Sequence, residues 1–137
     1  MNHPNDLCEP FAKILGGKGT FNNGVCSVSL KRSFQVTVQG RPSATVAPAG
    51  VLFEALDRNG NALNLAEIAI LQEEVPAFAS AVVRQGMIVS ALHNHWLYTK
   101  PVIMYIHVQS VEPPLHFARK MAEAFRTLSS YPVPDAH

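Results

Sequence analysis

Residues 91–107 read ALHNHWLYTKPVIMYIH and hold three of the six histidines of the chain. β-Branched and aromatic residues dominate both ends of this stretch, and a Thr-Lys-Pro segment lies between them, which predicts two strands joined by a short loop. Two strands joined this way are antiparallel neighbours in a sheet. The stretch therefore predicts an antiparallel hairpin that carries histidines among apolar residues.

The sequence on either side of this hairpin alternates between strand and helix patterns. Residues 25–32, 33–40, 51–61 and 67–74 read as strands. Residues 5–15, 75–83 and 113–128 repeat their apolar positions with the period of an amphipathic helix. This order predicts an α+β fold with a mostly antiparallel sheet and about three helices packed on it. We expect one domain over residues 1–137, with frayed tails at 1–5 and 129–137.

The composition is that of a globular protein. Apolar residues make up 47% of the 137 residues, charged residues make up 15%, and the formal net charge is +1. Lysine and arginine are scattered without a basic stripe, which argues against a nucleic-acid binder. No apolar run is long enough to span a membrane, and no signal peptide is visible. The localisation therefore stays open.

The chain has two cysteines, Cys8 and Cys26, without the close spacing of a redox or zinc motif. Cysteine commonly behaves as a small buried hydrophobe. We expect two free buried thiols, with a single disulfide as the alternative in an oxidising compartment.

His93 and His95 stand two residues apart, so in a strand both would point to one face of the sheet. The same alternation would place Met87, Val89 and Ala91 on that face. Two imidazoles one repeat apart can bind the same ion, and imidazole suits zinc, copper, iron and nickel. A metal site needs at least a third ligand.

His107 is the candidate third ligand, and its position depends on the register of the hairpin. Some registers place His107 directly across from His93, diagonal to it, or two pairs away on the same face. A register shifted by one residue moves His107 through the sheet to the other face, unless a β-bulge restores the alternation. A shared metal site therefore requires a particular register.

A carboxylate could complete the site. Glu73 and Glu74 lie where a predicted strand meets a predicted helix, and we take Glu74 as the candidate ligand or catalytic base. Two histidines with one carboxylate form a known metal-binding triad. The favoured alternative for both glutamates is a charge that stabilises the amino end of the helix.

The runs GGKGT…GVCSVSLKR, QEEVPAF and ALHNHWL…P…IHV, followed by a helix, resemble the LppY/LpqO-like bacterial family, a domain of unknown function. The resemblance spans about residues 7–128, and ALHNH is its most specific part. Family members occur in secreted and lipoprotein forms. Two departures stand out: Gln72 occupies a position where the family favours a carboxylate, and VQSVEPP replaces an aromatic-glycine stretch. The resemblance implies a histidine motif but no particular reaction.

Two hypotheses of function remain open, and they leave unsettled whether the protein is an enzyme. The first is a small metalloprotein, with hydrolysis as the candidate reaction, that binds a divalent transition metal (zinc first) through His93, His95 and His107. The second is a non-enzymatic small-ligand-binding or structural module with partnered core histidines. Low charge and apolar helix faces are also compatible with a homo-oligomer.

Overall fold

The computed structural model describes residues 3–135 and contains three α-helices and a short 3-10 turn. The helices are α1 (Pro4–Leu15), α2 (Val75–Arg84) and α3 (Pro114–Phe125), and the 3-10 turn is Gln72–Glu74. The strands are β1 (Gly19–Asn22), β2 (Val25–Lys31), β3 (Val36–Val38), β4 (Arg41–Ser43), β5 (Pro48–Glu54), β6 (Ala62–Leu71), β7 (Ile88–His93), β8 (Thr99–Lys100), β9 (Ile103–Glu112) and β10 (Val133–Pro134). No helix in this part of the chain is long and apolar enough to cross a membrane.

The strands form two antiparallel sheets. The large sheet has seven strands in the order β1-β2-β5-β6-β9-β7, and β10 pairs with β2 beside this path. The small sheet has the order β4-β3-β8. Residues 3–135 therefore form an α+β fold with three helices and a mostly antiparallel sheet, which confirms the predicted fold class.

The helices pack on one face of the large sheet because each helix has one apolar stripe. The main core lies between the two layers. Its aromatic contacts include Phe11 of α1 against Phe53 of β5, and Phe78 of α2 against Phe125 of α3. All four rings are fully buried. The helix layer therefore covers the face of β5 that carries Phe53 and leaves the opposite face of the sheet to other contacts.

The opposite face is only partly covered. The small sheet packs over one end of it through a second buried cluster formed by Val36, Val46 and Ile103. Further along β6, Ala66 and Ile68 are buried in the main core, whereas Glu67 between them is exposed. This alternation shows that the middle of the sheet has a core face and an open face.

Cys8 and Cys26 are joined by a disulfide bond between α1 and β2, with their Cα atoms 5.5 Å apart. This corrects the expectation of two free thiols. Both side chains are buried in the main core, as that expectation required, but the sequence pattern does not show that the fold brings them into bonding distance. The bond links the first helix to the sheet.

Residues 3–5 and 129–135, where we expected frayed tails, also make contacts, and the fraying itself stays a prediction. The His3 side chain caps α1 by accepting a hydrogen bond from the Asn5 backbone N–H at 3.1 Å. At the other end, Val133 pairs with Lys31 and Pro134 with Leu30. Residues 1–2 and 136–137 lie outside the described residues.

Candidate functional site

The register of β7 and β9 places two of the predicted histidines together. His93 lies opposite Tyr105, and Ala91 lies opposite His107. His93 and His107 are therefore diagonal neighbours on one face, which confirms one of the registers that a shared site allows. The register shifts between Val89 and Ala91, where Ser90 has no partner of its own. Ser90 is therefore the extra residue of a β-bulge.

The bulge changes which residues share a face with His93. Val89 pairs with the buried Val108 and packs against the main core, and Met87 is buried there as well. The prediction that Met87 and Val89 share the face of His93 is therefore wrong, because it assumed an unbroken alternation. The extra residue in the bulge turns His93 away from the core and onto the open face.

The imidazoles of His93 and His107 face each other. Their Nε2 atoms lie 3.1 Å apart and their ring centroids 5.1 Å apart. His93 is exposed and His107 is half-buried. In this geometry one imidazole can donate a hydrogen bond to the other, depending on the tautomers, or both lone pairs can be directed at one ion.

His95 lies beyond the end of β7, in the connection of residues 94–102, and not in the strand where we predicted it. The connection is held by β8 pairing with β3. The His95 ring stacks on Trp96 at 4.8 Å and meets Tyr105 edge-on at 5.2 Å. Its centroid is 5.9 Å from that of His93. His95 is thus next to the His93–His107 pair without completing it.

Tyr105 packs beside the His93–His107 pair. Only 2% of the residue is exposed, and its hydroxyl donates a hydrogen bond to the Val46 carbonyl in the segment before β5. Burial raises the pKa of the Tyr105 phenol above its ordinary value; a hydrogen bond with Trp96 opposes this shift, and the negative charge of Glu67 adds to it. The phenol is therefore protonated at neutral pH and positions the strand under His93.

Glu67 is a site residue that the sequence reasoning missed. It lies on β6 directly opposite His107 on β9, so the two side chains share the open face. It is the single carboxylate within a central strand that is otherwise apolar or amide-bearing, and this feature of residues 62–71 could have identified it. The carboxylate next to the site is therefore Glu67.

Within residues 3–135, no three histidine, cysteine, aspartate or glutamate side chains are grouped closely enough to hold a metal ion. The structure pairs His93 with His107 and leaves His95 and Glu67 adjacent. The three predicted metal ligands therefore lie in one neighbourhood, but a complete set of side-chain ligands is not assembled.

Glu74 lies elsewhere, in a buried ion pair. Its two carboxylate oxygens accept hydrogen bonds from the Arg32 guanidinium at 2.9 and 2.7 Å, from the Leu71 N–H at 2.9 Å, and from the N–H and hydroxyl of Ser129, both at 2.7 Å. Burial alone would raise the pKa of Glu74, but Arg32 and the other donors lower it to about 2. None of these partners is a histidine, so the structure does not bring Glu74 to the predicted site.

A large concavity of the described chain is separate from the histidines. It has a volume of about 970 Å³, lies between α1 and β1, and takes in Asp6, Glu9, Lys13 and Lys18. All four charged side chains are exposed. A smaller groove of about 320 Å³ runs along the open face and includes Glu67 and His107. The larger concavity does not include Glu67 or His107. The polar side chains that converge in the smaller groove make it the better candidate for a binding site.

Comparison with known proteins identifies a family. A family model, DUF1529, described as Domain of Unknown Function (DUF1259), matches residues 9–127. No curated protein and no solved structure matches the chain significantly. The match confirms the expected domain of unknown function, whereas the LppY/LpqO name stays a prediction. Because the match covers most of the sequence, the chain belongs to the family described as Domain of Unknown Function (DUF1259).

Proposed function

We propose that the protein binds a divalent transition metal, with zinc as the first candidate, through His93 and His107. The observation that carries this proposal is the 3.1 Å separation of their Nε2 atoms on an accessible face of the sheet. Two Zn–N bonds of about 2.0–2.1 Å at a tetrahedral angle separate the nitrogens by about 3.3–3.4 Å. The pair needs to open by only a few tenths of an ångström to hold an ion.

The remaining coordination positions have nearby candidates. His95 is the third protein ligand that we propose, since its ring lies 5.9 Å from His93 and its side chain is exposed. Water would occupy a fourth position. A zinc ion with an open position lowers the pKa of bound water to about 7, so hydrolysis is the reaction class that such a site would support. Glu74 is not part of this proposal, because its oxygens are engaged by Arg32 and Ser129.

The alternative function is a non-enzymatic ligand-binding or structural module. The observation that favours it is that the same 3.1 Å contact can be a direct hydrogen bond between the two imidazoles. Such a bond would satisfy one nitrogen of each ring without an ion. The two functions differ in whether the pair takes up metal.

The test is metal titration of purified, chelator-treated protein. Zinc binding would be followed by isothermal titration calorimetry, bound metal by inductively coupled plasma mass spectrometry, and ligand geometry by the visible absorption of cobalt(II). We expect one equivalent of zinc, and at least about tenfold weaker binding for His93→Ala and for His107→Ala. His116→Ala is the matched control, since His116 is exposed on α3, away from the pair.

The variants are expected to fold, because His93 is exposed, His107 is half-buried, and neither side chain belongs to the main core. A cobalt spectrum altered by His95→Ala would support the third ligand. If folded wild-type protein takes up less than one equivalent of zinc, nickel or copper, the metal proposal is wrong. The non-enzymatic ligand-binding or structural module is then the remaining function. Equal loss of binding in the His116→Ala control would also contradict it.

A further inference from the structure

The open face carries a continuous row of residues across five strands. Ser29 pairs with Gly50, Gly50 with Glu67, Glu67 with His107, and His107 with Ala91. Residues paired directly across an antiparallel ladder point to the same face. Three of the five side chains in this row are short or absent, so the row is a trough with Glu67 and His107 in it.

A neighbouring row forms one wall of the trough. There Leu52 of β5 pairs with Leu65 of β6, and both side chains are half-buried and line the groove. The row on the other side, in which Tyr105 lies opposite His93, does not line the groove. The resulting groove of about 320 Å³ is at the lower end of the range for small-molecule sites. It ends at the half-buried His107, which is shared with the proposed metal site.

Gly50 keeps the groove open. A Cβ atom added at this position would have no atom within 4 Å, so space extends above the backbone on the open face. Its backbone conformation is not one that requires glycine. A larger side chain at position 50 would therefore occupy the groove without straining the strand.

The polar groups of the groove select the kind of ligand. Ser27 and Ser29 supply hydroxyls, Glu67 supplies a carboxylate and His107 an imidazole. No lysine or arginine lines the groove in the described part of the chain, so a bound anion would find no balancing charge and would be repelled by Glu67. Hydroxyl and carboxylate groups together match a ligand that both donates and accepts hydrogen bonds.

We infer that this groove binds a small, neutral, polyhydroxylated molecule, with Glu67 and the two serines as its hydrogen-bonding partners. Leu52 and Leu65 contact its apolar faces. The inference deepens the proposed function, because the His93–His107 site would then act on a ligand lying in the groove. Binding in the groove itself depends on the residues that line it and not on a bound metal ion.

The test is a titration of the ¹⁵N-labelled protein followed by NMR, with mannitol and glucose as neutral probes and inorganic phosphate as the anionic probe. It is carried out on metal-free protein and on protein with added zinc. We expect a neutral probe to shift the backbone amides of Ser29, Gly50 and Glu67 in both preparations, and phosphate to leave them in place.

A graded pair of variants locates the ligand. Gly50→Leu should abolish these shifts by filling the groove, whereas Gly50→Ala should weaken them less, and both should retain the zinc affinity of the wild type. If zinc does not bind but the shifts occur, the metal proposal is wrong and the inference that the groove binds a ligand is supported. If neither neutral probe shifts these amides, if phosphate shifts them more, or if Gly50→Leu leaves the shifts unchanged, the groove inference is overturned.

Discussion

Replacing Glu74 with glutamine tests the buried ion pair that closes the end of β6. In the wild type, the side chain of Arg32 is fully buried and that of Glu74 is only 4% exposed. The glutamine amide would turn an NH₂ group toward donors on Arg32 or Ser129. The Glu74→Gln variant would therefore keep a buried guanidinium without its negative partner, which costs about 3–5 kcal/mol in comparable pairs.

The pH dependence of stability gives a second value for the contribution of the ion pair to the free energy of unfolding. The pKa of Glu74 falls from 4.5 to about 2 in the folded protein, which corresponds to about 3 kcal/mol of stability. Because the folded pKa is lowered, this stability is fully present above about pH 4.5 and is lost as the pH falls toward 2. In acid, where Glu74 is protonated, the wild type and the Glu74→Gln variant should therefore have nearly the same stability.

The assay is urea denaturation of both proteins, followed by far-ultraviolet circular dichroism, from pH 7 to pH 2. We expect the wild type to be about 3 kcal/mol more stable at pH 7 and the difference to shrink toward zero near pH 2. Glu73→Gln is the control, because Glu73 is exposed beside the pair and its loss should change stability by less than about 0.5 kcal/mol. A difference below about 1 kcal/mol at pH 7, or one that does not change with pH, would refute this account. Zinc affinity should be the same in Glu74→Gln as in the wild type.

Three further changes probe other contacts, each measured by urea denaturation at pH 7. Reducing the disulfide of Cys8 and Cys26 should lower the free energy of unfolding by about 3 kcal/mol, since the bond closes a loop with a sequence separation of 18; an unchanged midpoint would contradict this. Tyr105→Phe should cost about 1 kcal/mol through its lost hydrogen bond, and no loss would argue against that bond. Gly17→Ala should cost about 1–3 kcal/mol, because the new Cβ would lie 2.7 and 2.8 Å from side-chain carbons of β2, whereas Gly50→Ala should stay within about 0.5 kcal/mol. If Gly17→Ala and Gly50→Ala change the free energy of unfolding equally, the close approach at position 17 does not destabilise the variant, and this prediction is wrong.

Local sequence patterns were sufficient for the elements whose period is unbroken. The apolar repeat over residues 75–83 predicted α2, which spans Val75–Arg84, and the repeat over residues 113–128 predicted α3, which spans Pro114–Phe125. Such signals depend on neighbours three or four residues apart, so the chain itself displays them. The fold class followed from their order.

The arrangement of the site depended on contacts that no local pattern displays. Arg32 and Glu74 are 42 residues apart in sequence, and nothing near either residue identifies its partner. Glu67 was overlooked because its importance comes from lying opposite His107 on another strand. His95 was placed in a strand because its spacing from His93 fits one, although β7 ends at His93.

The bulge at Ser90 has a consequence for how the site tolerates changes in chain length. A chain that lacks Ser90 could form β7 as a regular strand in which Ala91 still lies opposite His107 and His93 opposite Tyr105. A one-residue gap at this position is therefore compatible with the same site. A gap between Ala91 and His93 would instead turn His93 toward the helices. Relatives that differ in length here should be compared by which side of the sheet the histidine reaches, and not by how many residues precede it.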